Sequence, residues 1–177
     1  MQLALVGHSR DAPEAGEDVA YTPLLLATQL AKHLVADIRG RVVLEGHVGG
    51  GAWARAIGEH SPARLLGMDI DPAAEGLALA DEISIRSFTA GPPALWSPVD
   101  AIIGNPPWSE DWEHLQVAFR VARHTIAWIL PADRLGRKIG WNGMWTAHVP
   151  DWYIQLGRVS YDGPGRTGEG SGMTDSA

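Results

Sequence analysis

Asn105, Pro106, Pro107 and Trp108 are the residues whose types and order most directly suggest chemistry. They follow the apolar run 101–103, which predicts a buried strand, and ligands bind at the carboxyl ends of strands in open α/β sheets. The side-chain oxygen of Asn105 and the carbonyl of Pro106 can accept hydrogen bonds from an amino group, and the face of Trp108 can stack on a ring. The four residues predict a receptor for a flat ring that carries an amino group. A proline turn beside a core tryptophan is the alternative.

A glycine-rich turn follows a second strand-like run at residues 41–45. Glu45 ends this run, and the turn 46–51 leads into a helix predicted over 52–60. Glycines allow a backbone to approach a ligand closely. The carboxylate of Glu45 argues against a pyrophosphate beside it and favours a positive centre or ribose hydroxyls. The turn lacks both the GxGxxG spacing and the Lys-Ser/Thr pair of a P-loop, which argues against dinucleotide and nucleoside triphosphate sites.

Asp69 is a second acidic residue at a strand end, after the run 65–69. In folds of this kind an acid about twenty residues beyond the glycine turn binds ribose hydroxyls. The alternative for Asp69 is a simple acidic residue at a helix N-terminus. Asp71, which precedes Pro72, is expected to cap the next helix.

Strand-like and helical stretches alternate along the chain and must position these motifs. Thr22 is expected to cap a helix that begins at Pro23 and ends near Val35. Further strands are predicted at residues 2–6, 83–88, 125–130 and 153–156. Further helices are predicted at residues 72–81, 112–123 and from about 133. The alternation predicts an α/β fold with a doubly wound, mostly parallel sheet, in which 2–6 is a short edge strand.

Composition predicts one domain over residues 1–161 and a flexible, Gly/Ser-rich tail over 162–177. The chain has 177 residues, a net charge of −7 and no cysteine. The acidic balance argues against non-specific coating of nucleic acid, although Arg134, Arg137 and Lys138 could meet a phosphate backbone or simply be solvated. The lack of cysteine excludes disulfides and a thiolate nucleophile and suits a cytoplasmic location. No apolar run is long enough for a membrane span, and His47 has no second ligand at metal-binding spacing.

Four motifs, taken in order, resemble those of S-adenosylmethionine-dependent amino methyltransferases. The resemblance is strongest to DNA adenine-N6 enzymes with an NPPW motif, including small phage enzymes, and covers residues 21–161. The motifs are Tyr21-Thr22-Pro23, the turn after Glu45, Gly67-Met68-Asp69-Ile70-Asp71 and Asn105-Pro106-Pro107-Trp108. The resemblance implies a Rossmann-like class I methyltransferase fold with S-adenosyl-L-methionine as cofactor.

The resemblance also implies roles for individual residues. The implied cofactor-binding residues are Tyr21, Thr22, Pro23, Glu45, Gly49, Gly51, Asp69, Ile70, Phe88 and Asn105. The implied catalytic residues are Asn105, Pro106, Pro107 and Trp108. The first three cofactor-binding residues would line the methionine end, and Asp69 would hold the ribose. Asn105 and Pro106 would orient the target amino group, and Trp108 would stack on the target base. The reaction would demand alignment rather than a general base with a tuned pKa. His114, the one histidine near the Asn105 motif, is expected on a helix surface.

Three features depart from the family pattern. Gly46 stands where many relatives have proline. Phe88 stands near the position where an aspartate commonly contacts the cofactor adenine, so we expect its ring to pack on that adenine. The polar sequence after residue 161 suggests that the final strand of the sheet is missing or shortened.

The expected function is methyl transfer from S-adenosylmethionine to an exocyclic amino group, with adenine N6 in DNA as the first expectation. Cytosine N4, guanine N2 of RNA and a protein glutamine are the alternative targets, since the same four residues can orient any planar amine or amide. A partner subunit could supply target recognition. A non-catalytic binding module with a degenerate methyltransferase fold is the alternative from a different class of protein.

Overall fold

The computed structural model describes residues 3–8, 21–131 and 148–158. Their strands form one seven-stranded sheet. The strands are β1 (Leu3–His8), β2 (Val42–Glu45), β3 (Arg64–Asp69), β4 (Glu82–Ile85), β5 (Val99–Gly104), β6 (Ala122–Pro131) and β7 (Trp152–Arg158). The helices are α1 (Leu24–His33), α2 (Val35–Ile38), α3 (Ala52–Gly58) and α4 (Asp111–Val121). Short 3-10 turns lie at Glu75–Leu79, Phe88–Ala90 and Ala94–Trp96.

The strand order is β4-β3-β2-β5-β6-β1-β7, and each neighbouring pair is parallel. From β2 the chain moves outward through β3 and β4, then crosses back to β5 and continues to β6 on the other side. The strand order therefore reverses between β2 and β5, which creates the crevice where open α/β sheets bind ligands. The predicted α/β doubly wound fold class is confirmed.

Apolar residues cover both faces of the central strands, as expected for a parallel sheet between two layers. On one face Val43 and Ile103 pack with residues of α1 and α3, including Trp53. On the other face Leu44 and Ile102 pack with residues of α4 and with aromatic side chains. Neighbouring residues of one strand point to opposite layers, so the short apolar runs in the sequence anchor both sides of the sheet.

The first strand lies inside the sheet, so the prediction of an edge strand was wrong. Residues Leu3 to Gly7 of β1 pair with β6, and Leu3 also lies opposite Trp152 of β7. An uncharged apolar run can tolerate neighbours on both sides, but the sequence carries no signal for which strands those neighbours are. A final strand beyond residue 158 would lie outside the described residues.

Several element boundaries differ from the predictions. The first helix begins at Leu24 with Pro23 as its N-cap and without a capping side chain, so the cap predicted at Thr22 was wrong. Of residues 72–81, which were predicted as a helix, only Glu75–Leu79 is helical, and it is a short 3-10 helix. The strand predicted over 83–88 ends at Ile85. The predicted helix from about 133, the tail 162–177 and the side chains of Arg134, Arg137 and Lys138 lie outside the described residues.

Candidate functional site

A cavity of about 210 Å³ opens outside the carboxyl ends of β2 and β5, and we call it the switch-point cavity. Glu45 ends β2, and Asn105 directly follows β5. Together with the N-terminal arm of α1 and the first turns of α3, they enclose the space. Its lining residues are Tyr21, Thr22, Leu24, Glu45, His47, Val48, Gly49, Gly50, Gly51, Ala52, Trp53, Arg55 and Asn105.

Glu45 is a buried carboxylate in the wall of this cavity, with only 1% of its surface exposed. Its Cγ lies 3.8 Å from the position that a Cβ at Gly104 would occupy, so its side chain lies against the end of β5. Its Oε2 has no hydrogen-bond partner among the described residues. Burial raises the pKa of Glu45 well above 4.5, and Asp69 raises it further, while the backbone N–H of Ala54 lowers it. A cation in the cavity would offset this desolvation.

Asp69 holds the glycine turn in place from the end of β3. Its Oδ2 accepts a hydrogen bond from the N–H of Gly49 over 2.9 Å, and its Oδ1 accepts one from the N–H of Asp71 over 2.9 Å. Gly49 and Gly51 have φ values of +43° and +81°, which glycine adopts without the steric cost that a Cβ adds. Asp69 therefore stabilises the turn, and each of its carboxylate oxygens keeps a second lone pair that can accept from a ligand.

The ring of Tyr21 covers the same turn from the cavity side. A Cβ on Gly49 would lie 2.8 Å from Cε1 of Tyr21, and a Cβ on Gly50 would lie 3.3 Å from its Cδ2. Partial burial raises the pKa of the Tyr21 hydroxyl, and Asp69 and other acidic side chains raise it further. The two glycines thus make room for an aromatic ring at the wall of the cavity.

Asn105, which lines the cavity, is hydrogen-bonded to Trp108. The indole Nε1 of Trp108 donates a hydrogen bond to Oδ1 of Asn105 over 3.1 Å. Both side chains are half-buried, Pro106 is buried and Pro107 is half-buried. The predicted amino-group acceptor and the predicted stacking ring are therefore in direct contact.

An aromatic cluster lies behind the turn. The rings of His47 and His114 have centroids 4.7 Å apart, and Phe88 stacks on His114 at 5.7 Å with Trp128 packed at its edge. His114 is only 3% exposed, so the prediction of a surface histidine was wrong. It lies on the buried face of α4, and its Nδ1 bonds the carbonyl of Glu110 over 2.7 Å. Burial lowers the pKa of His47 well below 6.5, and His114 lowers it further.

The structure brings six predicted cofactor-binding residues to the switch-point cavity. They are Tyr21, Thr22, Glu45, Gly49, Gly51 and Asn105. Asp69 acts on the turn from outside the lining. Pro23 and the remaining members of the Asn105 motif border this region without lining the cavity. Ile70 is 74% exposed, and Phe88 is 2% exposed within the aromatic cluster, so neither lines the cavity.

Sequence reasoning missed Arg55 and Trp53, both on α3. Arg55 lines the cavity, and so does Trp53, whose buried Nε1 has no partner among the described residues. Helical spacing could have placed both in the first turns after the glycine turn, where side chains reach the same crevice. No motif marked them, and a tryptophan in a helix most often indicates core packing.

Within 21–131 and 148–158, no three His, Cys, Asp or Glu side chains come together as a metal site would require. Each helix found there is also too short or too polar to cross a bilayer.

No family model matches the sequence, and no curated protein does. The fold, however, matches solved structures. A candidate RNA methyltransferase from Pyrococcus horikoshii aligns with a TM-score of 0.54 at 20% identity, over 66% of this chain and 65% of its own. A protein from Thermoplasma acidophilum aligns with a TM-score of 0.45 at 19% identity, over 59% of this chain and 66% of its own. This chain thus spans just under two thirds of either protein. The first match shows that the chain shares the Rossmann-like α/β fold of the Pyrococcus protein.

Proposed function

We propose that this chain is a methyltransferase that transfers a methyl group from S-adenosylmethionine to an exocyclic amino group, with adenine N6 in DNA as its target. The proposal rests on the positions of two residues around one cavity. Glu45 at the end of β2 and Asn105 after the end of β5 line a single cavity at the point where the strand order reverses. A cofactor held beside Glu45 would present its methyl group to an amino group held by Asn105.

The residues of the cavity fit such a cofactor. The buried, unpartnered Oε2 of Glu45 suits a ligand with a positive centre, and the glycine turn contributes Gly49, Gly50 and Gly51 to the wall beside it. Tyr21 and Thr22 would line its methionine end, and Asp69 would hold its ribose hydroxyls from the end of β3. The cofactor would supply an electrophilic methyl group on a sulfonium.

The Asn105 motif would hold the target. Oδ1 of Asn105 and the carbonyl of Pro106 would accept the hydrogens of the amino group, which directs the nitrogen lone pair toward the methyl donor. Trp108 would stack on the base. If the base comes from a duplex, it must first be flipped out, and stacking of this kind contributes about 1–3 kcal/mol per base.

Several other targets carry an amino group that Asn105 could orient in the same way. The Pyrococcus protein of the same fold is a candidate RNA methyltransferase, which supports RNA as the second candidate polymer, where guanine N2 is the alternative target. Cytosine N4 and a protein glutamine present the same planar amino chemistry to Asn105. A partner subunit would be one means of choosing among them.

Transfer of a labelled methyl group from S-adenosylmethionine tests the proposal. The full chain is incubated with unmethylated DNA, with RNA and with bulk protein, and the products are digested and separated as nucleosides or amino acids. We expect label in N6-methyl-2′-deoxyadenosine from DNA, and the variant Asn105→Ala should lose at least roughly 100-fold in rate, as expected when a transition-state hydrogen-bond partner is removed. Its affinity for S-adenosylhomocysteine should stay within a few fold. Label in another product would change the target, and a variant of nearly full activity would overturn the site.

A further inference from the structure

Arg55 is a cation in the switch-point cavity to which neither the motifs nor the proposed function gives a role. It lies on α3, one turn beyond Gly51, and lines the cavity together with Glu45. Among the described lining residues it alone carries a permanent positive charge. Its guanidinium makes no ion pair within the described residues. The two side chains thus give one cavity an acceptor oxygen and a cationic position.

We propose that Arg55 binds the carboxylate of the cofactor's amino-acid end. The inference rests on the proposed function and deepens it. An α-amino acid group carries an ammonium and a carboxylate on the same carbon, and it therefore needs an acceptor and a donor close together. Glu45 offers a buried carboxylate oxygen without a partner, and Arg55 offers a fork of N–H donors suited to a carboxylate.

A nucleic-acid phosphate is the competing ligand for an arginine at a cavity rim, and the surrounding charge argues against it. The acidic residues Asp69, Asp71 and Glu75 lie near enough to raise the pKa of Tyr21, which shares the cavity wall with Arg55. A polyanionic backbone would be repelled there. A carboxylate that brings its own ammonium group adds no net charge, so it fits this acidic surrounding better.

The test compares two ligands that differ in the amino-acid end alone. S-adenosylhomocysteine carries that end, whereas 5′-methylthioadenosine keeps the adenosine and the thioether sulfur without it. Each is titrated calorimetrically into the full chain and into the variants Arg55→Met, Arg55→Lys and Arg39→Met. Arg39 is an exposed arginine that does not line the cavity, which makes it a matched control.

We expect Arg55→Met to weaken S-adenosylhomocysteine about tenfold, the size of a lost charge-assisted hydrogen bond. Its affinity for 5′-methylthioadenosine should stay within about twofold of the wild type, which also shows that the variant is folded. Arg55→Lys should recover part of the loss, and Arg39→Met should change neither affinity. Equal weakening of both ligands, or unchanged binding of both, would overturn the role of Arg55. If the wild-type chain binds neither ligand, the proposed function fails as well.

Discussion

The indole Nε1 of Trp108 donates a hydrogen bond to the side-chain oxygen of Asn105 over 3.1 Å. This bond links the residue expected to stack on the target to the residue expected to orient its amino group. Phenylalanine would offer a stacking face without such a donor, so tryptophan contributes more than ring area here. The stacking and hydrogen-bonding roles of Trp108 can therefore be separated by substitution.

Trp108→Phe should retain most of the stacking on the target and lose the hydrogen bond to Oδ1 of Asn105. We expect its nucleic-acid affinity to stay within about threefold of the wild type while the rate of methyl transfer falls. Trp108→Ala loses both, and the loss of about 1–3 kcal/mol of stacking should weaken binding roughly 5- to 150-fold. Nucleic-acid titrations and single-turnover rates measure the two effects. Equal affinities for the two variants would show that the ring does not stack on the target.

Asp69→Ala should affect both the turn and the cofactor. The carboxylate accepts hydrogen bonds from the N–H groups of Gly49 and Asp71, and its loss should cost about 1 kcal/mol of stability for each bond. We expect S-adenosylhomocysteine affinity to fall by more than tenfold, because the ribose acceptor is lost too. Asp71→Ala is the control, since Asp71 caps the following turn through Ala73 and is given no role in holding the ribose. Unchanged affinity in Asp69→Ala would mean that the ribose is held elsewhere.

Glu45→Gln should change how stability depends on pH. The pKa of Glu45 in the folded chain is raised well above 4.5, its ordinary value. At a pH between 4.5 and the folded pKa, folded Glu45 therefore holds a proton that unfolded Glu45 has lost. The contribution of Glu45 to the free energy of unfolding is therefore largest below pH 4.5 and falls as pH rises toward the folded pKa. This loss of stability with rising pH is absent from Glu45→Gln, because glutamine does not titrate.

Denaturant unfolding at a series of pH values measures the difference between Glu45→Gln and the wild type. The stability of the variant relative to the wild type should grow with pH across that window and then level off. Glu59→Gln, the same substitution at an exposed position after α3, is the control for the loss of a carboxylate. A constant difference between Glu45→Gln and the wild type would contradict the buried, proton-holding carboxyl.

Gly46 and Phe88 both differ from the pattern of the amino methyltransferases that the sequence resembles, and they lie next to each other in the structure. A Cβ on Gly46 would lie 2.3 Å from Cδ2 of Phe88, so the ring occupies the space that a side chain at position 46 would need. We expect Gly46→Ala to destabilise the fold by about 1–3 kcal/mol, the usual cost of overpacking.

Most of the cost of Gly46→Ala should disappear when Phe88→Leu is also present, which a double-mutant cycle measures by thermal or denaturant unfolding. Gly58→Ala serves as a control, since nothing lies within 4 Å of its added Cβ. Additive effects of the substitutions at positions 46 and 88 would contradict the connection.

The sequence was sufficient for the alternation of elements and for the arrangement of Glu45, Asp69 and Asn105 at strand ends. Those predictions follow from local signals, because apolar runs mark parallel strands and glycines mark the turn. The interior position of β1 and the burial of His114 depend on which elements pack together, and no local signal encodes that. Arg55 was missed for the same reason, since only the fold shows that the first turns of α3 border the cavity.

Titration of the full chain with S-adenosylhomocysteine in a calorimeter shows whether the switch-point cavity holds S-adenosylmethionine. We expect one-to-one binding with micromolar affinity in the wild type and much weaker binding in Asp69→Ala. A folded sample that gives no binding would rule out a cofactor in this cavity and favour a methyltransferase fold without a working cofactor site.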